Sequence, residues 1–266
     1  MNRQRIASRI DLLTVPLDPD ETAGWKPYYQ YQGSTHNADF LSCHASVLIP
    51  GHCPHPPHSH PEEEILLMLA GEAELILPSL RSDDGKQPPL RLRPGQFVYY
   101  PAHFLHTLRT VSSEPANYVM FKWRARARTS DAQLQFGQFD AGASCFPGKS
   151  ASAFDYRLLV EGPTTCLERL HSHVSRLAAG AGNPSHSHSY ETAMVVLEGE
   201  IETLGQRVRR HGLVFYAGGT PHGIRNPTSE PARYVVFEFY GRLPFWRKII
   251  DPHWWGHRLG LMRNDG

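Results

Sequence analysis

The hydrophobic positions of this chain fall in short runs or at every second residue, and turn residues separate them. Period-two spacing starts after Cys43, and Ser46 to Ile49 reads as a strand that ends at Pro50-Gly51. Ile65 to Ala70 is a continuous apolar run of the right length for one buried strand. Gly71 ends it, and residues 72–77 then alternate polar and apolar like a half-buried strand. Phe97 to Tyr100 and Tyr118 to Trp123 read as further strands, with a polar Pro/Gly-rich loop at 79–90 before them. After a polar stretch without a clear period, strands resume at Thr165 to Leu170, His173 to Leu177, Thr192 to Leu197, Ile201 to Leu204, Leu213 to Tyr216 and Tyr234 to Phe239. Arg5 to Val15 fits either a short helix or an extended arm. The aromatic run Trp25, Tyr28, Tyr29, Tyr31 is apolar surface that either packs on a domain or subunit neighbour or forms a pocket wall. The C-terminal tail, with Trp246, Trp254 and Trp255, is expected to pack down, because three exposed indoles invite aggregation.

Self-comparison adds the organisation. HSHPEEEILLMLAGE at 58–72 aligns without a gap with HSHSYETAMVVLEGE at 186–200. SEPANYVMF at 113–121 aligns with SEPARYVVF at 229–237. The offset falls from 128 to 116 between the two matches, mainly through loop 79–90, which the second copy lacks. Two copies of one all-β unit are therefore expected. The chain divides into an N-terminal arm (1–40), a first domain (41–125), a linker (126–160), a second domain (161–245) and a tail (246–266).

Composition changes this picture little. A chain of 266 residues is long enough for one large core or two ordinary ones. Twenty-two Gly and 22 Pro favour many short strands over long helices. A net charge of +1 gives no reason to expect nucleic acid or an anionic membrane as partner, and no helix-turn-helix is visible. Lys122, Arg124, Arg126 and Arg128 alternate and read as the solvated face of a strand leaving the first domain. Cys43, Cys53, Cys145 and Cys166 form no CxxC pair or disulfide framework. With no signal peptide and no apolar run of membrane-spanning length, a cytoplasmic protein is expected.

The chemistry is concentrated in the first repeat match. His58 and His60, two apart on an extended segment, point to the same face, and Glu64 lies at an even spacing from them. With a further histidine they would make a site of three nitrogens and one oxygen, suited to Fe, Mn, Ni, Cu or Zn. In the second copy His186 and His188 recur, but Thr192 stands where Glu64 does. Glu191, one residue earlier, falls on the opposite face.

In order, His58, His60, Glu64, Gly71, Gly95, Pro101 and His106 in one copy, and His186, His188, Gly212, Gly219, His222 and Asn226 in the other, resemble the two motifs of the cupin superfamily. Those motifs run G-x5-H-x-H-x3,4-E-x6-G and G-x5-P-x-G-x2-H-x3-N. The resemblance covers about 40–123 and 165–240 and implies a bicupin: two tandem all-β, jelly-roll-like barrels. It implies metal ligands His58, His60, Glu64 and His106 in the first barrel. In the second it implies His186, His188 and His222, a set that is either a three-histidine site or a pocket without metal. Two departures stand out in the first copy: His103 replaces the turn glycine and Thr110 the asparagine. His103 alters the mouth of the site, either as a proton-transfer group beside Glu64 or simply exposed at the turn.

The expected cofactor is one divalent transition metal, with a second ion in the other half left open. The expected partners are a small-molecule substrate and, through arm or tail, a second copy in a homodimer. The leading functional reading is a non-haem metal oxygenase acting on a small polar or chelating substrate. A non-redox isomerase, lyase, decarboxylase or hydrolase, a binding or regulatory module without turnover, and a storage-type bicupin are the alternatives.

Overall fold

In the computed structural model, residues 4–13, 24–80, 90–125, 133–148 and 152–241 are described. In chain order the strands of the first part are β1 (Arg9–Leu12), β2 (Trp25–Gly33), β3 (Phe40–Leu48), β4 (Glu63–Ala70), β5 (Ala73–Ile76), β6 (Arg91–Leu92), β7 (Gln96–Tyr100), β8 (Thr107–Thr110), β9 (Ala116–Arg124) and β10 (Gly137–Asp140). There follow β11 (Phe154–Gly162), β12 (Arg169–Leu177), β13 (Gly182–His186), β14 (Glu191–Glu198), β15 (Glu200–Thr203), β16 (Gln206–Arg209), β17 (Gly212–Tyr216), β18 (His222–Arg225) and β19 (Ala232–Tyr240). Among the described residues no helix is long and apolar enough to cross a membrane, and the four cysteines are free.

The repeat in the sequence is a repeat in the sheets. One six-stranded sheet has the order β10-β7-β4-β9-β3-β2, the other β1-β17-β14-β19-β12-β11. These two sheets pack through one core. Phe97 meets Phe237 edge-on with ring centroids 5.1 Å apart, and Trp123 meets Phe239 at 5.2 Å. The other face of each large sheet closes over its own core with a small sheet, β6-β5-β8 in the first half and β13-β18-β15-β16 in the second. A strand such as β4 is therefore buried on both faces. Ile65, Leu67 and Leu69 join the core between the halves, while Leu66 and Met68 face the interior of the first barrel, which explains the unbroken apolar run. Gly71 turns the chain between β4 and β5 with φ +69. A Cβ there would lie 2.7 Å from the Pro115 carbonyl oxygen, so glycine is required. Gly199 repeats both features in the second half.

Of the two forms expected for Arg5 to Val15, the extended one is found where it is described: β1 pairs with β17 of the second half. Two expectations need correction. The stretch 126–160 is not a plain linker, because β10 pairs with β7 of the first half and β11 pairs with β12. Thr165 to Leu170 is not a separate strand, since one strand, β12, runs through Arg169–Leu177. The Trp-rich tail and Arg126 and Arg128 lie outside the described residues. The aromatic run is β2, and it serves both expected purposes. Trp25 and Tyr29 border the barrel interior, whereas Tyr31 turns to the other face and packs on Phe215 at 4.9 Å. A bulge between Tyr29 and Tyr31 changes the phase of the alternation.

Two buried carboxylates bind the halves together, one from each. Glu63 accepts hydrogen bonds from Trp123 Nε1 (2.6 Å), Thr164 Oγ1 (2.7 Å) and the Cys166 amide (3.1 Å). Glu191, its repeat partner, accepts from the His36 amide (3.0 Å) and from Asn37 Nδ2 (2.8 Å). Both carboxylates thus reach the segment that leads into the other barrel. Thr35 and Thr164 shape those segments with the same turn, each hydroxyl accepting two following amides. Replacing Glu63 with Ala leaves two buried donors, Trp123 Nε1 and the Thr164 hydroxyl, without an acceptor, while the Cys166 amide keeps Thr164 Oγ1. The expected loss is about 3 kcal/mol in urea unfolding, with Glu63→Gln losing less because one oxygen remains. A loss below about 0.5 kcal/mol would show that these contacts do not hold the halves together.

Candidate metal centre

The first half brings three of its predicted histidines to one point, with the predicted Glu64 beside two of them. His58, His60 and His106 present ring nitrogens within 4.8 Å of one another. Backbone pairing sets this up. The His58 amide donates to the His106 carbonyl and the His106 amide to the His58 carbonyl, both at 3.1 Å, which ties the first motif to the second. His60 Nδ1 lies 3.0 Å from the Glu62 carbonyl, and His106 Nδ1 2.8 Å from the Phe104 carbonyl. A carbonyl only accepts, so each Nδ1 carries the proton and each Nε2 keeps its lone pair. Tyr100 stacks on His106 with centroids 4.1 Å apart and holds its ring plane.

Glu64 approaches two of these histidines from β4. Its Oε2 is 3.1 Å from His60 Nε2, 3.6 Å from His106 Nε2 and 3.2 Å from Lys122 Nζ. Burial pushes the Glu64 carboxyl up, but its contacts with His106 and His60 and the charge of Lys122 outweigh that and hold it well below the usual range. His58 is lowered to about 4, first by burial and then by the neighbouring imidazoles, so it is neutral at pH 7, the form that ligates metal. Lone pairs and a carboxylate pointing at one another are stable only around a cation. Lys122 Nζ, 3.1 Å from His60 Nε2, supplies a positive charge there. Glu64 Oε1 and His58 Nδ1 are buried without a hydrogen-bond partner. Donor types, lone pairs and orphaned oxygen all fit a divalent transition metal.

The reading of Lys122 and Arg124 as a solvated strand face is overturned. Lys122 points into the barrel with its side chain 24% exposed, and Arg124 pairs with Glu62 at 3.2 Å. Alternation alone misled here, because β9 is a central strand with both faces covered. Of the two readings of His103, the structure matches exposure at the turn. Its side chain is exposed and lies outside the residues lining the cavity, while its amide donates to the His60 carbonyl at 2.7 Å. Gly219 makes the same bond to His188, and both residues are left-handed, φ +63 and +87. The motif glycine is therefore a backbone requirement that His103 meets under strain. Thr110 takes over part of the asparagine's task. Its hydroxyl reaches the Leu48 carbonyl as Asn226 Nδ2 reaches that of Leu177.

The cavity above the cluster measures about 400 Å³, and Trp25, Tyr29, Tyr118 and Met120 form much of its wall. His44, which flanks the first site in the sequence, borders the cavity, with Nε2 buried and without a hydrogen-bond partner. Burial lowers it to about 4.

The second half assembles His186, His188 and His222 within 4.8 Å. Each Nδ1 is engaged, by Pro184 O (2.9 Å), Tyr190 Oη (2.9 Å) and Thr220 O (2.8 Å), and Tyr216 stacks on His222 as Tyr100 does on His106. The carboxylate is absent: Thr192 occupies its place, and Glu191 faces the other half, as its odd register requires. Glu238 stands opposite Thr192 where Lys122 stands opposite Glu64. Glu238 accepts from Tyr240 Oη at 2.7 Å, and burial pushes its carboxyl up.

The cupin domain profile matches residues 46–122 and 173–238, more than half of the chain. Dimethylsulfoniopropionate lyase DddQ of Ruegeria pomeroyi is 32% identical over 119 residues, which cover 38% of this chain and 55% of that protein. The chain thus spans about half the length of the curated relative it matches. Among solved structures, AerE of Microcystis aeruginosa is 13% identical with a TM-score of 0.58, covering 88% of this chain and 97% of that one. Salicylate 1,2-dioxygenase of Pseudaminobacter salicylatoxidans is 13% identical at 0.55 (84% and 74%). An oxalate decarboxylase of Bacillus subtilis is 10% identical at 0.54 (94% and 88%). At such identities these structures share the fold.

Two outcomes follow from the geometry. His103→Gly relieves the left-handed backbone and should stabilise the protein by about 1 kcal/mol in urea unfolding with metal content unchanged; loss of metal would return His103 to the site. His44 stays neutral in the folded protein to about pH 4, whereas the unfolded chain takes up the proton near 6.5. Its depressed value therefore leaves stability intact above pH 6.5 and removes it as pH falls from 6.5 towards 4. Between pH 7 and 4.5 the drop in unfolding free energy should be about 2 kcal/mol smaller in His44→Gln than in wild type. Equal drops would show that His44 is protonated in the fold.

Proposed function

The chain belongs to the cupin family, as two cupin domains in tandem, and from that premise we propose that it is a metal-dependent enzyme working in its first chamber. His58, His60, His106 and Glu64 would hold one divalent transition metal ion. The observation that carries this reading is the convergence of imidazole lone pairs beside the buried Glu64 carboxylate. Once bound, the ion supplies a Lewis acid that polarises a small chelating substrate. The carbonyls of Glu62 and Phe104 hold two imidazoles in the ligating tautomer, and the Met120 and Tyr118 wall limits water. Non-redox lyase chemistry comes first, ahead of the oxygenase expected from sequence. Elimination needs a base, and His44 offers a neutral, unpaired Nε2 inside the cavity. The similarity to a lyase supports the same choice.

Oxygenase chemistry is the second reading, favoured by a donor set of three imidazoles and one carboxylate that also suits Fe(II). The second triad would hold a further, more weakly bound ion, since it lacks a carboxylate at Thr192. A homodimer is supported by β11, an edge strand with Tyr156 and Leu158 exposed.

Metal per chain, measured by mass spectrometry on protein purified without added metal, tests the centre. His60→Ala should lose the first-chamber ion and His188→Ala should keep it. Full metal content in His60→Ala would sink the assignment. Incubation with dimethylsulfoniopropionate under an oxygen electrode separates the chemistries: substrate loss without oxygen uptake supports elimination, and stoichiometric uptake supports the oxygenase.

A further inference from the structure

Among the described residues, Lys122 is the one lysine or arginine lining the cavity, and its position sets a constraint on the ligand. It lies on the central strand β9, in a row of cross-strand neighbours Gln32, Ser42, Lys122 and Glu64. Met120 and Tyr118 continue the same face deeper into the barrel. The ammonium stands 3.2 Å from Glu64 Oε2 and 3.1 Å from His60 Nε2. Those two atoms are also donors of the metal centre. An ammonium and a divalent ion cannot share them, because like charges at this distance repel strongly in a partly buried site.

With the ion bound, Lys122 has to swing away, which its four-carbon stem permits. It then needs another anion, since a cation in a largely apolar cavity is costly without one. Glu62 and Glu64 are the carboxylates among the lining residues. Glu64 is committed to the centre and Glu62 pairs with Arg124 at 3.2 Å. His44 is neutral and supplies no charge. Building on the first-chamber reading above, the geometry points to Lys122 as a substrate-positioning residue that gives up Glu64 to the metal and receives the carboxylate of a small substrate with an apolar body.

The second barrel supplies an internal contrast. Its equivalent row is Glu161, His171, Glu238 and Thr192, with a carboxyl where Lys122 stands. Among the described residues, the pairing of a lysine with a carboxylate across these two strands is found in the first barrel.

Calorimetric titration of Co(II)-loaded protein with propionate, and with uncharged propionamide, tests the assignment. In Lys122→Met, propionate affinity should fall on the order of tenfold or more while propionamide is unchanged, and Lys122→Arg should keep most of it. Titrated with Co(II) alone, Lys122→Met should bind at least as tightly as wild type, because the competing ammonium is gone. Lys122→Gln, which still reaches Glu64, provides the same comparison should the Met variant not fold. Unchanged propionate affinity in metal-loaded Lys122→Met or Lys122→Gln overturns the anchor and leaves the metal centre standing. A wild-type protein that takes up no Co(II) overturns the first-chamber reading and the anchor with it.

Discussion

Glu63 and Glu64 are neighbours on β4, both fully buried, and their side chains leave the strand in opposite directions. A carboxylate removed from water is tolerable only when donors or cations surround it. Glu63 finds Trp123, Thr164 and Cys166 between the halves, and Glu64 finds imidazoles and Lys122 inside the barrel. A slip of one residue would exchange them, placing each carboxylate among the wrong partners. The period of two along one strand thus couples the joint between the barrels to the geometry of the candidate centre.

The joint is reciprocal. β1 precedes the first barrel and completes the sheet of the second; β10 precedes the second and completes the sheet of the first. Ser8 extends the first of these exchanges, its hydroxyl accepting from the Ala217 amide and meeting Thr220 Oγ1 at 2.7 Å, next to the turn that delivers His222. The sheets also bury their outer faces against each other through Phe97, Trp123, Phe237 and Phe239. Neither barrel keeps its edges or its outer face covered without the other, so the described parts of the chain are one packed body rather than two beads on a linker.

Sequence reasoning reached the strands, the repeat and the histidines, because strand alternation and identical motifs are local signals. It reached the opposite facing of Glu191 for the same reason. What it missed was non-local. The sequence around Lys122 alternates like an exposed strand, and only the covering of β9 on both faces reveals that its side chain points inward. His44 carries no motif, and its exact place follows only from β3 lining the cavity. The divided use of the β2 aromatics depends on one bulge between Tyr29 and Tyr31, which no periodicity announces. A bulge recurs at Leu158 in β11, so it belongs to the repeated unit rather than to either copy.

The differences between the two chambers obey the same electrostatic rule. Replacing Glu64 by threonine alone would leave the Lys122 ammonium beside imidazoles with no counter-charge, and replacing Lys122 alone by glutamate would set two carboxylates face to face across neighbouring strands. Either single change is strongly unfavourable in a partly buried site. The second half carries both at once: Thr192 opposite Glu238, with His171 on the other side of the glutamate and Tyr240 donating to it. Positions 64 and 122, and likewise 192 and 238, therefore behave as one unit, in which the residue allowed at each depends on the charge at the other. A chamber with Lys122 and Glu64 sets an ammonium and a carboxylate beside its histidines. A chamber with Glu238 and Thr192 does not, although each of its imidazoles also has its Nδ1 engaged. The electrostatic contrast between the barrels lies in this coupled pair more than in the histidines they share.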